Sequence, residues 1–138
     1  MAAGNLCLTF GYGGDLNIAQ RRAKEAGNNV NIEVLLPKQG YGVWIDTFMI
    51  PKDAVNVANA HAYINDTLDA KVAAKNGNYV TYAPASKDAK ALMEEEYVNN
   101  RSIFPTDEDL KTGFMYQPMT PEATKVALRL WQGLKKGS

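Results

Sequence analysis

Three short, mostly apolar stretches within the first 51 residues predict β-strands. They are LCLTFGY (6–12), NIEVLLP (31–37) and VWIDTFMIP (43–51), each rich in β-branched or aromatic residues and close to residues typical of turns. Between the first two, Asp15 is a good helix N-cap, apolar residues recur at helical spacing, and Gly27 ends the pattern. The predicted order is therefore strand, helix, strand, strand.

The rest of the chain is predicted to be mainly helical. Helices are expected over about 53–69, 70–76 and 86–99, with an extended connection at 78–84. A short helix should begin after Thr106, and the last helix opens with Thr120 and Pro121 and closes at Gly137. This arrangement is typical of an α/β fold, with a sheet that is small for 138 residues.

Composition narrows the possible functions. Fifteen Lys and Arg balance fifteen Asp and Glu, so no net charge favours nucleic acid or an anionic membrane as a partner. The single cysteine, Cys7, permits no internal disulfide, and the single histidine, His61, leaves little for a metal site. We therefore expect neither a metal nor a cofactor. No apolar stretch reaches the roughly 18 residues of a membrane span, and the first residues lack a signal-peptide pattern.

The glycine-rich stretch FGYGGDLNIAQRR (10–22) allows three interpretations. A dinucleotide fingerprint fails because Leu16 stands three residues after Gly13, where that motif needs a glycine, and no P-loop ending follows. A phosphate would also meet the carboxylate of Asp15 at the helix N-terminus, which disfavours an anion site. A plain turn with a capping aspartate remains open. So does a clamp for a cation, formed by Tyr12 and Asp15 at the end of a strand.

The stretch GVWIDTF presents a similar choice. On a strand, Trp44, Asp46 and Phe48 share one face, so a carboxylate lies between two aromatic side chains. Burying it is costly unless backbone amides or a nearby Lys or Arg satisfy it. Alternatively, a ligand ammonium could lie against the indole and donate hydrogen bonds to the carboxylate. Together with Tyr12 and Asp15, such a site would suit a ligand with an amine at each end.

Signals for catalysis are lacking. The sequence contains no G-x-S-x-G and no H-E-x-x-H motif, and one histidine leaves a triad without suitable partners. No catalytic residue is predicted, and the chain is not expected to be an enzyme. Tyr82 in TYAP and Gln117 in MYQP lie in predicted loops, where ligand contacts are frequent, although each alone favours a structural role.

Taken in order, these residues resemble the polyamine-binding proteins of bacterial ABC transporters, the periplasmic putrescine and spermidine receptors. The resemblance extends over essentially the whole chain. It rests on an aromatic-x-G-D motif before a helix, together with a W-x-D motif further on. The matching blocks are GNLCLTFGYGGDLNIAQRRAKEA, VNIEVLLPKQGYGVWIDTFMIPKDA, YINDTL and LRLWQGLKKG.

The resemblance implies a fold and a set of ligand-binding residues. The fold would be a type II periplasmic-binding-protein fold, whose two lobes close on a linear polyamine. The implied ligand-binding residues are the aromatic walls Tyr12 and Trp44, the amine-binding carboxylates Asp15 and Asp46, the loop aromatic Tyr82, and Gln117, which would touch one end of the ligand. Tyr12 stands where some members have tryptophan, which leaves the choice of polyamine open.

The chain is shorter than a complete receptor, and the resemblance implies that it corresponds to the C-terminal portion. About 1–40 would belong to the second lobe, and about 41–138 to the first lobe and the C-terminal helices. The unpaired sheet edges of such a portion predict a homo-oligomer or a domain-swapped dimer. The implied partners are a polyamine and the transporter permease, and the implied location is the periplasm. A structural, self-associating remnant without ligand binding is the alternative.

Overall fold

The computed structural model describes residues 1–27 and 29–137, and its regular elements are mainly helical. The helices are α1 (Gly13–Ala26), α2 (Val57–Leu68), α3 (Ala70–Val80), a 3₁₀ helix (Lys87–Leu92), α4 (Glu95–Val98), α5 (Asp107–Leu110) and α6 (Pro121–Lys136). Strands β1 (Tyr41–Val43) and β2 (Gly113–Met115) pair in parallel, with Gly42 opposite Phe114. The α/β expectation therefore holds only in its coarse form, as a mixture of helices and a small parallel sheet.

The three predicted strands are wrong as strands. Residues 6–12 and 31–37 form no strand, and only Val43 of the stretch 43–51 lies in β1. A strand needs a hydrogen-bonded neighbour and a surface on which to bury its apolar face. Here the side chains of Leu8 and Phe10 are 91% and 97% exposed. The apolar pattern is therefore present in the sequence, but the described residues provide no surface that covers it.

Helix ends are confirmed where the capping chemistry is explicit. Gly27 ends α1 with a φ of 60°, in the left-handed region that glycine adopts without strain. The Thr106 hydroxyl accepts a hydrogen bond from the backbone N–H of Asp109, which makes a capping box at α5. At α6, the Thr120 side chain accepts from the backbone N–H of Ala123, and Gly137 forms the C-cap.

Other helix predictions are corrected. Asp15 is not the N-cap of α1, because the helix begins at Gly13 after Tyr12, and Asp15 lies in its first turn. The predicted extended connection at 78–84 is partly helical, since α3 continues to Val80. The predicted helix at 86–99 is divided into the 3₁₀ helix and α4, because Met93 adopts an extended backbone conformation between them.

The core is small and is formed mainly by α3 and the 3₁₀ helix. Its buried residues are Ala73, Ala74, Ala89 and Met93, with Tyr97, Val98 and Phe104 packed around them. Helix α6 does not contribute to this core, because none of its residues is buried. No helix among the described residues combines the length and the apolar character needed to cross a membrane.

Candidate functional site

Four separate parts of the chain contribute side chains to one cavity of about 360 Å³. The cavity is lined by Tyr12, Trp44, Asp46, Tyr82 and Tyr116. Tyr12 directly precedes α1, and Trp44 and Asp46 follow β1. Tyr82 follows α3, and Tyr116 follows β2. Its volume falls within the range of about 300–1,000 Å³ that is usual for small-molecule sites.

Tyr12 and Trp44 form one wall of this cavity. Their ring centroids are 4.8 Å apart at an interplanar angle of 72°, an edge-to-face arrangement. Tyr12 and Trp44 are 58% and 40% exposed as residues, so both present surface that a ligand can contact. Phe48, predicted to share a strand face with Trp44, instead packs edge-to-face on Tyr63 of α2, with centroids 5.7 Å apart.

Tyr82 lies directly against the N-terminal turn of α1. A Cβ atom added to Gly14 would lie 2.0 Å from Cε2 and 2.3 Å from Cδ2 of the Tyr82 ring. Only a glycine leaves room for this approach. The pKa of Tyr82 is raised, first by burial and then by the negative charge of Asp15. Hydrogen bonds from the backbone N–H groups of Asp15 and Gly14 oppose this rise, while the charge of Asp46 adds to it at a lower level.

Thr81 holds Tyr82 in this position. It is the C-cap of α3, is 1% exposed, and has a φ of 56°, which is costly for a β-branched residue. Its hydroxyl lies 2.9 Å from the carbonyl oxygen of Gly14 and 2.7 Å from that of Val80, so it can donate to either one. The contact with Gly14 joins the end of α3 to the start of α1. Strained residues of this kind often occur at ligand sites.

Polar contacts fix α1 relative to the rest of the site. The buried Asn17 side-chain amide donates to the Ser102 hydroxyl at 2.8 Å, and its carbonyl oxygen accepts from Asn100 at 3.0 Å. Further along the helix, Arg21 donates to the backbone carbonyl of Tyr79 and to the hydroxyl of Tyr97, both at 3.2 Å. These bonds orient α1, and with it Tyr12 and Asp15.

The two predicted carboxylates differ in position. Asp46 lines the cavity, whereas Asp15 is not among the lining residues and acts on the site through its charge beside Tyr82. Both are exposed, and the ion pairs of residues 1–27 and 29–137 involve neither of them. Asp46 is therefore not a buried group neutralised by a Lys or Arg of the described chain. Its charge is available to a ligand.

Gln117 and Tyr116 are neighbours with different positions. Gln117 is exposed and is not among the cavity-lining residues, whereas Tyr116 is. Sequence reasoning missed Tyr116 because β2, which positions it, contains only three residues and shows no readable periodicity. The available signal was the aromatic pair Phe114 and Tyr116, spaced two apart as on one face of a strand.

A second cavity, of about 630 Å³, lies between residues 34–41 and 99–112. Among its lining residues, Tyr41 has a hydroxyl that is buried and makes no hydrogen bond within the described chain. Burial, and the nearby charge of Asp109, raise the pKa of that hydroxyl. None of the six residues predicted from the sequence lines this cavity, so the smaller one is the candidate functional site.

The geometry of the candidate site defines the kind of ligand that it suits. Aromatic rings surround an exposed carboxylate that has no ion-pair partner in the described chain. Ring faces attract cations, and a carboxylate accepts hydrogen bonds from an ammonium group. The site is therefore suited to an organic cation.

Comparison with known proteins points to a specific class. No family model matches the chain. The putrescine-binding periplasmic protein SpuD of Pseudomonas aeruginosa is 31% identical over 137 residues, and the putrescine-binding periplasmic protein PotF of Escherichia coli is 34% identical over 137 residues. Both matches cover 99% of this chain and 37% of the relative. A spermidine/putrescine-binding periplasmic protein of Escherichia coli is 30% identical over 115 residues, which is 83% of this chain and 32% of the relative.

These matches confirm the resemblance stated from the sequence. The relatives of this chain are periplasmic polyamine-binding proteins, and the homology extends over its whole length. The chain spans a little over a third of the length of these relatives, which is consistent with a C-terminal portion of such a protein.

Proposed function

We propose that this chain binds a linear polyamine, putrescine or spermidine, in the cavity lined by Tyr12, Trp44, Asp46 and Tyr82. The observation that carries the proposal is the convergence of these side chains, which come from distant parts of the sequence, on one cavity. The names of the relatives supply the ligand class. The role is binding rather than catalysis, in the substrate-binding component of an ABC transporter that delivers its ligand to the permease from the periplasm.

In this site the ligand is held by two kinds of contact. Asp46 accepts hydrogen bonds from one ammonium group, while the rings of Tyr12, Trp44 and Tyr82 pack on the methylene chain and on the cation. Each exposed cation–π contact contributes about 0.5–1 kcal/mol. Asp15, whose charge acts on the Tyr82 hydroxyl, attracts the second ammonium group. Because the rings remain partly exposed, we expect weak affinity.

The proposed site lies where two lobe segments meet. In a type II periplasmic-binding-protein fold, residues 1–40 would belong to the second lobe and residues 41–138 to the first lobe and the C-terminal helices. Tyr12 belongs to the first segment and Trp44 to the other, and their rings are in contact. Ligand sites occur preferentially at such boundaries. This supports a site shared between the lobes.

We further propose that the chain self-associates as a homo-oligomer or a domain-swapped dimer. The supporting observation is the exposure of apolar side chains in residues 6–12, where Leu6, Leu8 and Phe10 are 56%, 91% and 97% exposed. Large apolar side chains exposed close together along the chain favour association when they form one surface. The same observation supports a second candidate function, in which the chain is a structural, self-associating remnant that has lost ligand binding. Light scattering that gives the mass of a single chain at all concentrations would contradict self-association.

Isothermal titration calorimetry with putrescine and with spermidine tests the binding function. We expect heat of binding for the unmodified chain, and its loss in Asp46→Asn, which removes the charge but keeps the shape. Asp53→Asn is the matched control, because Asp53 is also exposed but does not line the cavity. The absence of any heat of binding for the unmodified chain at millimolar ligand would overturn the binding function and leave the structural alternative. An equal effect of both substitutions would show that charge alone, rather than the site, is responsible.

A further inference from the structure

Tyr116 is a cavity-lining residue to which neither the sequence motifs nor the names of the relatives assign a role. It directly follows β2 and is 71% exposed, yet it lines the same cavity as Trp44 and Asp46. We propose that the ring of Tyr116 is a further ligand-contacting wall of the site, and that Tyr116 rather than Gln117 is the contact supplied by this loop. This inference rests on the proposed polyamine function.

The parallel pairing of β1 and β2 explains why Tyr116 reaches the site. The register pairs Gly42 with Phe114 and Val43 with Met115, and both strands end there, so Trp44 and Tyr116 directly follow the last paired residues. Strands that pair in parallel run in the same direction, so the residues that follow their C-terminal ends leave the sheet at the same edge. Trp44 and Tyr116 therefore leave the same edge of the sheet, and both line the cavity that Asp46 also lines.

Two contacts hold the Tyr116 ring in place. Its centroid is 5.4 Å from that of Phe114 at an interplanar angle of 71°, an edge-to-face arrangement. Its outer edge lies over Gly42, where an added Cβ would be 2.4 Å from Cε2 and 2.6 Å from the hydroxyl oxygen. A side chain at position 42 would displace the ring. The ring is therefore positioned before any ligand arrives, which reduces the entropy lost on binding.

The position of the ring decides what it contacts. An ammonium group bound to Asp46 lies among the rings that line the same cavity, including Tyr116. Aromatic faces attract ammonium groups and pack on the methylene groups beside them. Gln117 is exposed outside the lining, so its amide is not placed for this contact. The ring, and not the hydroxyl, is the expected source of the interaction.

Calorimetric titration of the full chain with putrescine and with spermidine tests this assignment. We expect Tyr116→Ala to weaken binding by about 2- to 30-fold, the range for one cation–π contact. Tyr116→Phe keeps the ring and should remain within about twofold of the unmodified chain, and Gln117→Ala should change affinity less than Tyr116→Ala. Tyr63→Ala is the matched control. Tyr63 is 61% exposed and also packs edge-to-face on a phenylalanine, but it does not line the cavity.

The possible outcomes separate this inference from the binding function. If the unmodified chain gives no heat of binding, both the binding function and the role of Tyr116 are overturned. Binding by the unmodified chain with no change in Tyr116→Ala, or with an equal loss in Tyr63→Ala, overturns the role of Tyr116 alone. Far-UV circular dichroism shows whether Tyr116→Ala retains its fold. If it does not, Gly42→Ala takes its place, since it displaces the ring without removing it. Weakened binding by Gly42→Ala supports the inference, and unchanged binding refutes it.

Discussion

The contact between Gly14 and Tyr82 gives a direct test of how the site is built. Replacing Gly14 by alanine would place a Cβ atom 2.0 Å from Cε2 of Tyr82, whereas ordinary van der Waals contact begins at 3.4 Å. The ring must therefore withdraw by about 1.4 Å, the difference between these two distances. Because Tyr82 is 36% exposed, it has space to move toward solvent.

Two opposing terms set the effect of Gly14→Ala on stability. Forcing extra volume into a packed contact costs about 1–3 kcal/mol. Alanine in place of glycine within a helix recovers up to about 1 kcal/mol. Since the ring can move outward, we expect a net destabilisation of about 0–2 kcal/mol, which at this chain length lowers the melting temperature by up to about 8 °C. We expect polyamine affinity to fall as well, because one aromatic wall leaves its position.

Thermal unfolding followed by circular dichroism, together with calorimetric titration, measures both effects. Gly11→Ala is a suitable control, because an added Cβ there meets Leu16 only at 3.6 Å. A double-mutant cycle with Tyr82→Ala isolates the contact, since Gly14→Ala should become neutral or stabilising once the ring is gone. The reasoning is refuted if Gly14→Ala leaves both stability and affinity unchanged, or if its effect is the same without the Tyr82 ring.

Other residues allow further tests. Thr81→Val keeps the side-chain shape but removes the hydroxyl that lies 2.9 Å from the Gly14 carbonyl oxygen. The free energy of unfolding should fall by about 1 kcal/mol, measured as a lower melting temperature, and an unchanged melting temperature would contradict this. Thr120→Ala removes the N-cap of α6 and should cost that helix about 1 kcal/mol, measured as lost helical circular dichroism, whereas Thr120→Ser should retain it. The pKa of Asp109 lies well below its ordinary value, mainly because of its hydrogen bond with Arg101 and to a lesser extent because of hydrogen bonds from the backbone and hydroxyl of Thr106. The ionised Asp109 side chain therefore stabilises the fold fully above about pH 4, and this stabilisation declines as the pH falls further. Melting temperatures measured from about pH 6 to pH 2 should show this component, and its persistence in Asp109→Asn would contradict the assignment.

The sequence predicts local structure where a specific residue satisfies a specific backbone group. Thr106 and Thr120 cap the N-termini of α5 and α6 as expected, because the side chain that makes each cap lies within a few residues of its partner. The stretches 6–12 and 31–37 fail as strands for the opposite reason. A strand depends on a neighbour that is distant in sequence, and the described residues pair neither stretch. Local patterning cannot supply that neighbour.

The candidate site also combines residues that the sequence predicts with one whose position depends on distant parts of the chain. Motif and resemblance predict Tyr12, Trp44, Asp46 and Tyr82 as site residues. The structure places all four around one cavity, and their role in binding stays a prediction. For Tyr116 the sequence offers only the spacing from Phe114, because its position depends on the pairing of two three-residue strands and on the absence of a side chain at position 42. Such a fit between distant residues becomes visible only in three dimensions.

The walls of the cavity come from residues 12 to 116, which span most of the chain. A ligand that bridges these walls binds only when the parts of the chain that form them are folded together, so its binding energy adds to the free energy of unfolding these parts. At a free ligand concentration a hundred times the dissociation constant, this addition is about 2.7 kcal/mol. For a chain with so small a core, the concentration of ligand would therefore help to determine how much of the protein is folded, and a thermal shift on adding polyamine would report occupancy of the site.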